Sequence, residues 1–249
     1  MAMTSFQDDQ AKEAFLQRVR EALGRTEPLL HTPDHPSLKA VLARQEEKVR
    51  TILAKVEARR PRLLVQLMET AAQAGWRVRR VPTHTEAVQA VVEVARELGA
   101  RRVLRSGEEV FERVDVDAPL RAAQMVPMVM ATSRGRSRDA LRTMAMEADL
   151  GITGVDYAIA ETGSCVVLPR RRISRLVSLA PPVHIALVEQ EQVLESLDDL
   201  LALGRLDHMR GRMSPYMTLI SGPSRSADIE QTMTVGVHGP GEVHMILIG

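Results

Sequence analysis

The sequence predicts an α/β fold: a mostly parallel sheet flanked by helices, preceded by an N-terminal helical extension. Three observations lead there. Beyond Gly75, short apolar runs alternate with helical patterns, the order that parallel strands joined by crossover helices produce. Polar, glycine-rich segments fall mostly just after apolar runs, where ligands bind in open parallel sheets. Residues 1–75 carry helical periodicity without strand alternation. The chain therefore divides by pattern into a helical extension, 1–75, and an α/β domain, 76–249.

In the extension, Phe15, Leu16, Val19 and Leu23 share one helical face, and Gly24 is placed to end that helix. Residues 25–36 read as a linker. Ser37 can cap a second helix carrying Leu38, Leu42, Val49, Ile52 and Val56 at near-heptad spacing. A third is expected from Pro61, stacking Leu64, Leu67, Met68 and Ala71. These helices either cover the core of their own chain or form an arm that grips another subunit.

In the α/β domain, strands are expected at Val78 to Val81, Arg102 to Leu104, Val126 to Ala131, Ile185 to Val188, Met217 to Ile220 and Val243 to Ile248. Helices are expected at Glu86 to Leu98, Ser137 to Ala148 and Gln192 to Leu203. The segment between Leu104 and Val126 is poorly patterned.

Composition excludes several function classes. With 45% hydrophobic and 26% charged residues the chain reads as an ordinary globular protein. No apolar run approaches the roughly 18 residues a membrane span needs, and the N-terminus lacks a signal-peptide order, so a cytoplasmic location is expected. Net charge is +1 and aromatic residues make up only 2%, which argues against nucleic-acid binding and against a membrane surface. Cys165 is the only cysteine, so the chain can form no internal disulfide and offers no ligand set for an iron–sulfur cluster. No dinucleotide, Walker, HExxH or nucleophile-elbow motif is present. The expectation is no cofactor in this chain.

Two stretches concentrate chemistry. In the first, Met217 to Ile220 run into Ser221, Gly222, Pro223, Ser224, Arg225 and Ser226, after which Asp228, Ile229 and Glu230 read as a first helical turn. A strand, glycine-rich loop and helix start would present backbone N–H groups, hydroxyls and a guanidinium to an anion. The helix macrodipole by itself would also account for Asp228. The turn Gly236 to Gly241, carrying His238 and Gly239, follows. In the second stretch, two apolar runs are split by Glu161, Thr162, Gly163 and Ser164, a tight turn whose glycine can take a positive φ. Glu161 is either a solvated turn residue or a general base or nucleophile. His184 opens a strand and is expected to be structural, while Arg170, Arg171, Arg172 and Arg175 form a basic run suited to a solvated loop or a clamp on an anion.

At GITGVDYAIAETGSCVVLP, RLVSLAPPVHIALVE and ISGPSRSADIEQTMTVGVHGPGEVHMILIG the sequence resembles the LUD domain of the lactate-utilisation protein C (LutC, YkgG-like) family. The resemblance spans about Asp149 to Gly249. It implies a fold of the NagB, RpiA and CoA-transferase superfamily, and a role beside iron–sulfur partner proteins in oxidising L-lactate to pyruvate. Ser164 and Ser226 stand where the family more often has threonine, and both keep a hydroxyl. By analogy with the CoA-transferase group, Glu161 would be the attacking carboxylate.

Two functions remain open at this level. In an enzyme subunit, Glu161 or His238 would remove a proton while Thr162, Gly163, Ser221, Gly222, Ser224, Arg225, Ser226, Asp228 and Gly239 line an anion site at the sheet's carboxyl edge. In an organising or regulatory subunit, the same groups would bind a carboxylate or phosphate without chemistry. A CoA-transferase-like or sugar-phosphate-isomerase-like enzyme is a further alternative, and the N-terminal helices could support a homo-oligomer.

Overall fold

The computed structural model describes residues 4–24, 41–130, 137–168, 174–212, 214, 216–227 and 233–249. Packing separates two units, 1–41 and 42–249. The first contributes helix α1 (Thr4–Ala22), after which Gly24 takes a positive φ. The boundary by packing thus falls well before the boundary by sequence pattern at 75/76, because α2 (Leu42–Ala74) packs into the larger unit.

Helix α2 runs through Pro61, where the sequence predicts a new helix. Proline removes one backbone hydrogen bond and costs a helix interior about 3 kcal/mol. Leu63, Leu64 and Leu67 continue the apolar stripe beyond it, all at 2% exposure or less, and each contributes about 1.5–3 kcal/mol by burial. That offsets the break. The helix ends in a Schellman turn: the Trp76 N–H donates to Ala71 O and the Gly75 N–H to Ala72 O, with Gly75 at φ +100°.

The main sheet contains β1 (Arg77–Val81), β2 (Arg102–Arg105), β3 (Val126–Val129), β4 (Leu150–Gly154), β7 (Val183–Glu189) and β12 (Glu242–Ile248). Their order is β1-β12-β7-β4-β2-β3 and every pair is parallel. Alternation places Ile152, Ile185, Leu187 and Ile246 with α3 (His84–Glu97), α4 (Val110–Arg113) and α5 (Asp117–Ala122) on one side. Ala186, Val188, Met245 and Leu247 form the other core with α2 and α8 (Leu197–Met209). Helices α6 (Arg138–Met146) and α7 (Leu176–Leu179) pack around Leu104 and Met130.

Strand β4 has no clear sequence signal, since two of its five residues are glycine. Gly151 is required there: a Cβ would lie 1.9 Å from Val177 O of α7. A second, four-stranded sheet orders β8 (Val193–Leu194), β5 (Tyr157–Ile159), β6 (Ser164–Val167) and β9 (Thr218–Ile220). Here β5 and β6 form the expected hairpin, and β9 pairs antiparallel to β6. The helix expected from Gln192 begins at Leu197 instead, where Ser196 and Asp199 form a capping box; residues 190–194 are a 3₁₀ turn and β8.

Candidate functional site

The two motif stretches converge, through the second sheet. β6 pairs with β9 so that Cys165 lies opposite Ile220. Ser164 Oγ and Ser221 Oγ are 2.7 Å apart, and Thr162 Oγ1 donates to Ser164 Oγ at 2.9 Å. This hydroxyl chain lies against the last turn of α2. Gly163, at φ +64°, packs so closely that a Cβ would come within 2.4 Å of Ala71 N, and a Cβ on Gly222 would come within 2.3 Å of Ala74 O. Both glycines are there for close approach to one helix end.

The loop after β9 differs from the sequence expectation. Arg225, Ser226 and Ala227 form β10, paired antiparallel with β11 (Met233–Val235), so Arg225 and Ser226, expected in the loop ahead of a helix start at Asp228, stand in a hairpin strand. Asp228, Ile229 and Glu230 lie outside the described residues. Ser226 pairs with Thr234. The exposed Arg225 donates from Nη2 to Ala74 O at 3.1 Å, a cation on the carbonyl end of α2, which the helix macrodipole favours. Ser224 organises the neighbouring turn: its N–H donates to Pro240 O at 2.8 Å and its Oγ accepts from the His238 N–H at 3.2 Å. Gly239 packs on Ser224, 3.5 Å from Cβ to Cβ if it carried one.

Glu161 and His238 stand on different sheets. Exposed Glu161 follows β5 and accepts from the Leu197 N–H at the start of α8, at 3.3 Å. Exposed His238 precedes β12, at the amino edge of the six-stranded sheet, where Gly241 N–H donates to Pro182 O. The expected cleft at that sheet's carboxyl edge therefore does not contain the 236–241 turn.

What the carboxyl edge does hold is a cluster the sequence reading missed. Glu189 ends β7 and accepts from Arg113 Nη2 at 2.5 Å, and His84 Nε2 lies 2.9 Å from its Oε1. Burial raises the Glu189 carboxyl, but the hydrogen bonds from Arg113 and His84 outweigh it and hold the group below its ordinary range. Arg105 makes a two-point ion pair with Asp117 at 2.7 and 2.8 Å, which lowers the Asp117 carboxyl, and its guanidinium stacks over Phe111. Ser106 is fully buried and hydrogen bonded to Glu108 Oε2. Burial pushes the Glu108 carboxyl above its usual range. The available signal was a polar run, Ser106 to Glu109, directly after the apolar residues of β2.

Other sequence candidates are structural or lie elsewhere. His184 is completely buried with Nε2 2.9 Å from Thr153 Oγ1, as expected of a structural histidine. Cys165 is buried and its thiol is pushed well above the usual range, so it is suited to packing rather than to ligation. Among the described residues no group of three His, Cys, Asp or Glu could hold a metal ion. A cavity of about 260 Å³ lies between α8 and β9, lined by Leu168, Gly204, Asp207, Arg212, Tyr216 and Met217. The Arg175 guanidinium stacks over the Tyr216 ring; Arg170, Arg171 and Arg172 lie outside the described residues.

The profile of the LUD domain matches residues 64–248. The chain belongs to the LUD domain family. It is 29% identical over 237 residues to a lactate utilization protein C of Halalkalibacterium halodurans, covering 93% of this chain and 94% of that one. A lactate utilization protein C of Bacillus pumilus is 27% identical over 239 residues, covering 95% and 96%. The crystal structure of a DUF162 family protein from Deinococcus radiodurans shares the fold at TM-score 0.53 and 23% identity, covering 76% of this chain and 98% of that one. The LUD domain match begins inside α2, on the buried Leu64.

Proposed function

We propose that the protein is a component of a lactate-utilisation system, acting beside iron–sulfur partner proteins in the oxidation of L-lactate to pyruvate. The observation that carries this reading is the similarity to lactate utilization protein C along nearly the whole of both chains. Among the described residues no helix is long and apolar enough to cross a membrane, which is in keeping with a cytoplasmic site of action. The clusters are in the partner proteins in this reading, since the chain's one cysteine is sealed in the core. Exposed Phe15, Val19 and Leu23 on and just after α1 support subunit association through the N-terminal helix.

The Ser221 to Arg225 loop takes a small carboxylate or phosphate in this proposal, with the Arg225 guanidinium as its charged group. The Glu161 contact with α8 supports an organising role for that carboxylate over a role in proton transfer. Deleting the gene tests the system-level reading. Growth on L-lactate should stop while growth on pyruvate continues, and complementation should restore it. Undiminished growth on L-lactate as sole carbon source overturns the reading.

A further inference from the structure

The cavity of about 260 Å³ between α8 and β9 has walls of two kinds, apolar and charged. Leu168 and Met217 stand just beyond the last register pair of β6 and β9, Val167 with Thr218, and form apolar walls together with the Tyr216 ring, over which the Arg175 guanidinium stacks. On α8 the cavity reaches bare backbone at Gly204, where a Cβ would meet no atom within 4 Å. Packing does not call for glycine there, and glycine in a helix interior is less favourable than alanine. An apolar cavity of about 150 Å³ takes up benzene, so this one has room for a body the size of leucine.

The charged walls are Asp207 and Arg212. Asp207 lies one turn beyond Gly204 on the same face of α8. The helix then ends in a Schellman turn: the Gly211 N–H donates to His208 O, the Arg212 N–H donates to Asp207 O, and Gly211 takes φ +69°. That turn brings Arg212 back to Asp207, and its Nη2 donates to Asp207 Oδ1 at 3.2 Å. A guanidinium has five N–H donors and a carboxylate two oxygens, and this pair uses one of each. The two side chains are 60% and 37% exposed, where an ion pair contributes little to stability, so sharing it with a ligand's charges costs little. A simple carboxylic acid would meet Arg212 but be repelled by Asp207, and an amine would meet the reverse. A molecule that carries both charges satisfies both walls.

We propose that the cavity between α8 and β9 binds a free apolar α-amino acid of about leucine size, its carboxylate on Arg212, its ammonium group on Asp207 and its side chain between Leu168, Met217 and the Tyr216 ring. An α-amino acid carries opposite charges and an apolar group on one carbon, which matches a fixed charge pair beside apolar walls. A peptide offers one of the two charges at each end, so the site selects the free amino acid. None of these residues belongs to the Ser221 to Arg225 loop, and the site does not depend on the lactate reading.

The test titrates the full-length protein by calorimetry with L-leucine, with glycine, which lacks the apolar body, with L-leucinamide, which lacks the carboxylate, and with 4-methylpentanoate, which lacks the ammonium group. L-Leucine should bind wild type at least about tenfold tighter than each of the other three, the least that one lost hydrogen bond between charged groups is worth. Asp207→Asn should lose most of the preference over 4-methylpentanoate, and Arg212→Gln most of the preference over L-leucinamide. Gly204→Met, whose side chain takes up the space, should bind L-leucine at least about tenfold more weakly than wild type while keeping the helix, since methionine is a good helix former. In wild type, the Met217 methyl resonance should shift with L-leucine and not with glycine, a readout independent of how well the variants fold. Failure of wild type to bind L-leucine, equal binding of 4-methylpentanoate or L-leucinamide, preferences untouched in both charge variants, or an unmoved Met217 resonance overturns the proposal.

Discussion

The Glu161 carboxylate accepts a hydrogen bond from the backbone N–H of Leu197, the first residue of α8, at 3.3 Å. A carboxylate there meets the positive end of the helix macrodipole, so its position has a structural cause without any chemistry. The same relationship joins the β5–β6 turn to the helix that closes over the second sheet.

Replacing that carboxylate separates anchoring from proton transfer. Glu161→Gln should lower stability by about 0.3–1 kcal/mol, the worth of an exposed charge at a helix start. Lactate oxidation by complexes of normal composition should stay within about tenfold of wild type. A loss of about two to four orders of magnitude, the usual contribution of general acid–base catalysis, would instead make Glu161 the base.

Arg225 caps α2 and is also the charged group of the loop. Arg225→Ala should weaken inorganic phosphate binding by about 1.5–3 kcal/mol, the range for hydrogen bonds to charged groups, measured by calorimetry. Unfolding free energy should fall by no more than about 1 kcal/mol, since one exposed charge at a helix end is lost. Equal phosphate affinity in both proteins would remove the loop from consideration as an anion site.

Gly163 has no tolerable replacement. Alanine there would meet both the left-handed backbone at φ +64° and Ala71 N at 2.4 Å. The left-handed backbone costs about 1–2 kcal/mol and overpacking about 1–3 kcal/mol. Gly163→Ala should therefore shift the urea midpoint downward by the equivalent of at least about 2 kcal/mol. An unchanged midpoint would mean that the turn is free to move away from α2.

His184 sets part of the acid limit. Burial, with a smaller effect from His244, pushes its pKa down to about 3. The unfolded chain titrates near the ordinary value of 6.5, so below that pH the unfolded state binds the extra proton. The corresponding stability is present in full above about pH 6.5 and is lost as pH falls toward 3, by up to about 1.4 kcal/mol per pH unit. Urea titrations from pH 7 to about 4 should show a steeper decline for wild type than for His184→Gln, by close to one proton. Parallel curves would show that the imidazole is not held neutral.

Much of the fold was legible in the sequence because local pattern carries it. Val78 to Val81, Arg102 to Leu104, Ile185 to Val188 and Val243 to Ile248 are segments of strand length that each carry valine, leucine or isoleucine, and all lie within strands of the parallel sheet. The β5–β6 turn was legible through Gly163. Strand β4 was not, since Gly151 answers to the neighbouring α7 rather than to strand propensity. Nor was the continuity of α2 through Pro61, which depends on how much apolar surface the far side of the proline buries.

The sequence by itself determined which residues carry polar chemistry and that most of them sit at strand ends, since side-chain type and hydrophobic period are properties of the chain. Tertiary structure decided which ends meet. Antiparallel pairing of β9 with β6 put Ser221 on Ser164, and pairing of β10 with β11 put Arg225 and Ser226, expected in a loop, into a hairpin strand. The order of strands in the main sheet, which no local pattern encodes, placed His238 at the amino edge and brought Ser106, Glu108 and Gly154 together at the carboxyl edge. Burial is likewise a property of the assembled layers: packing against Gly154 helps to bury the Glu108 carboxyl, which raises it above its usual range.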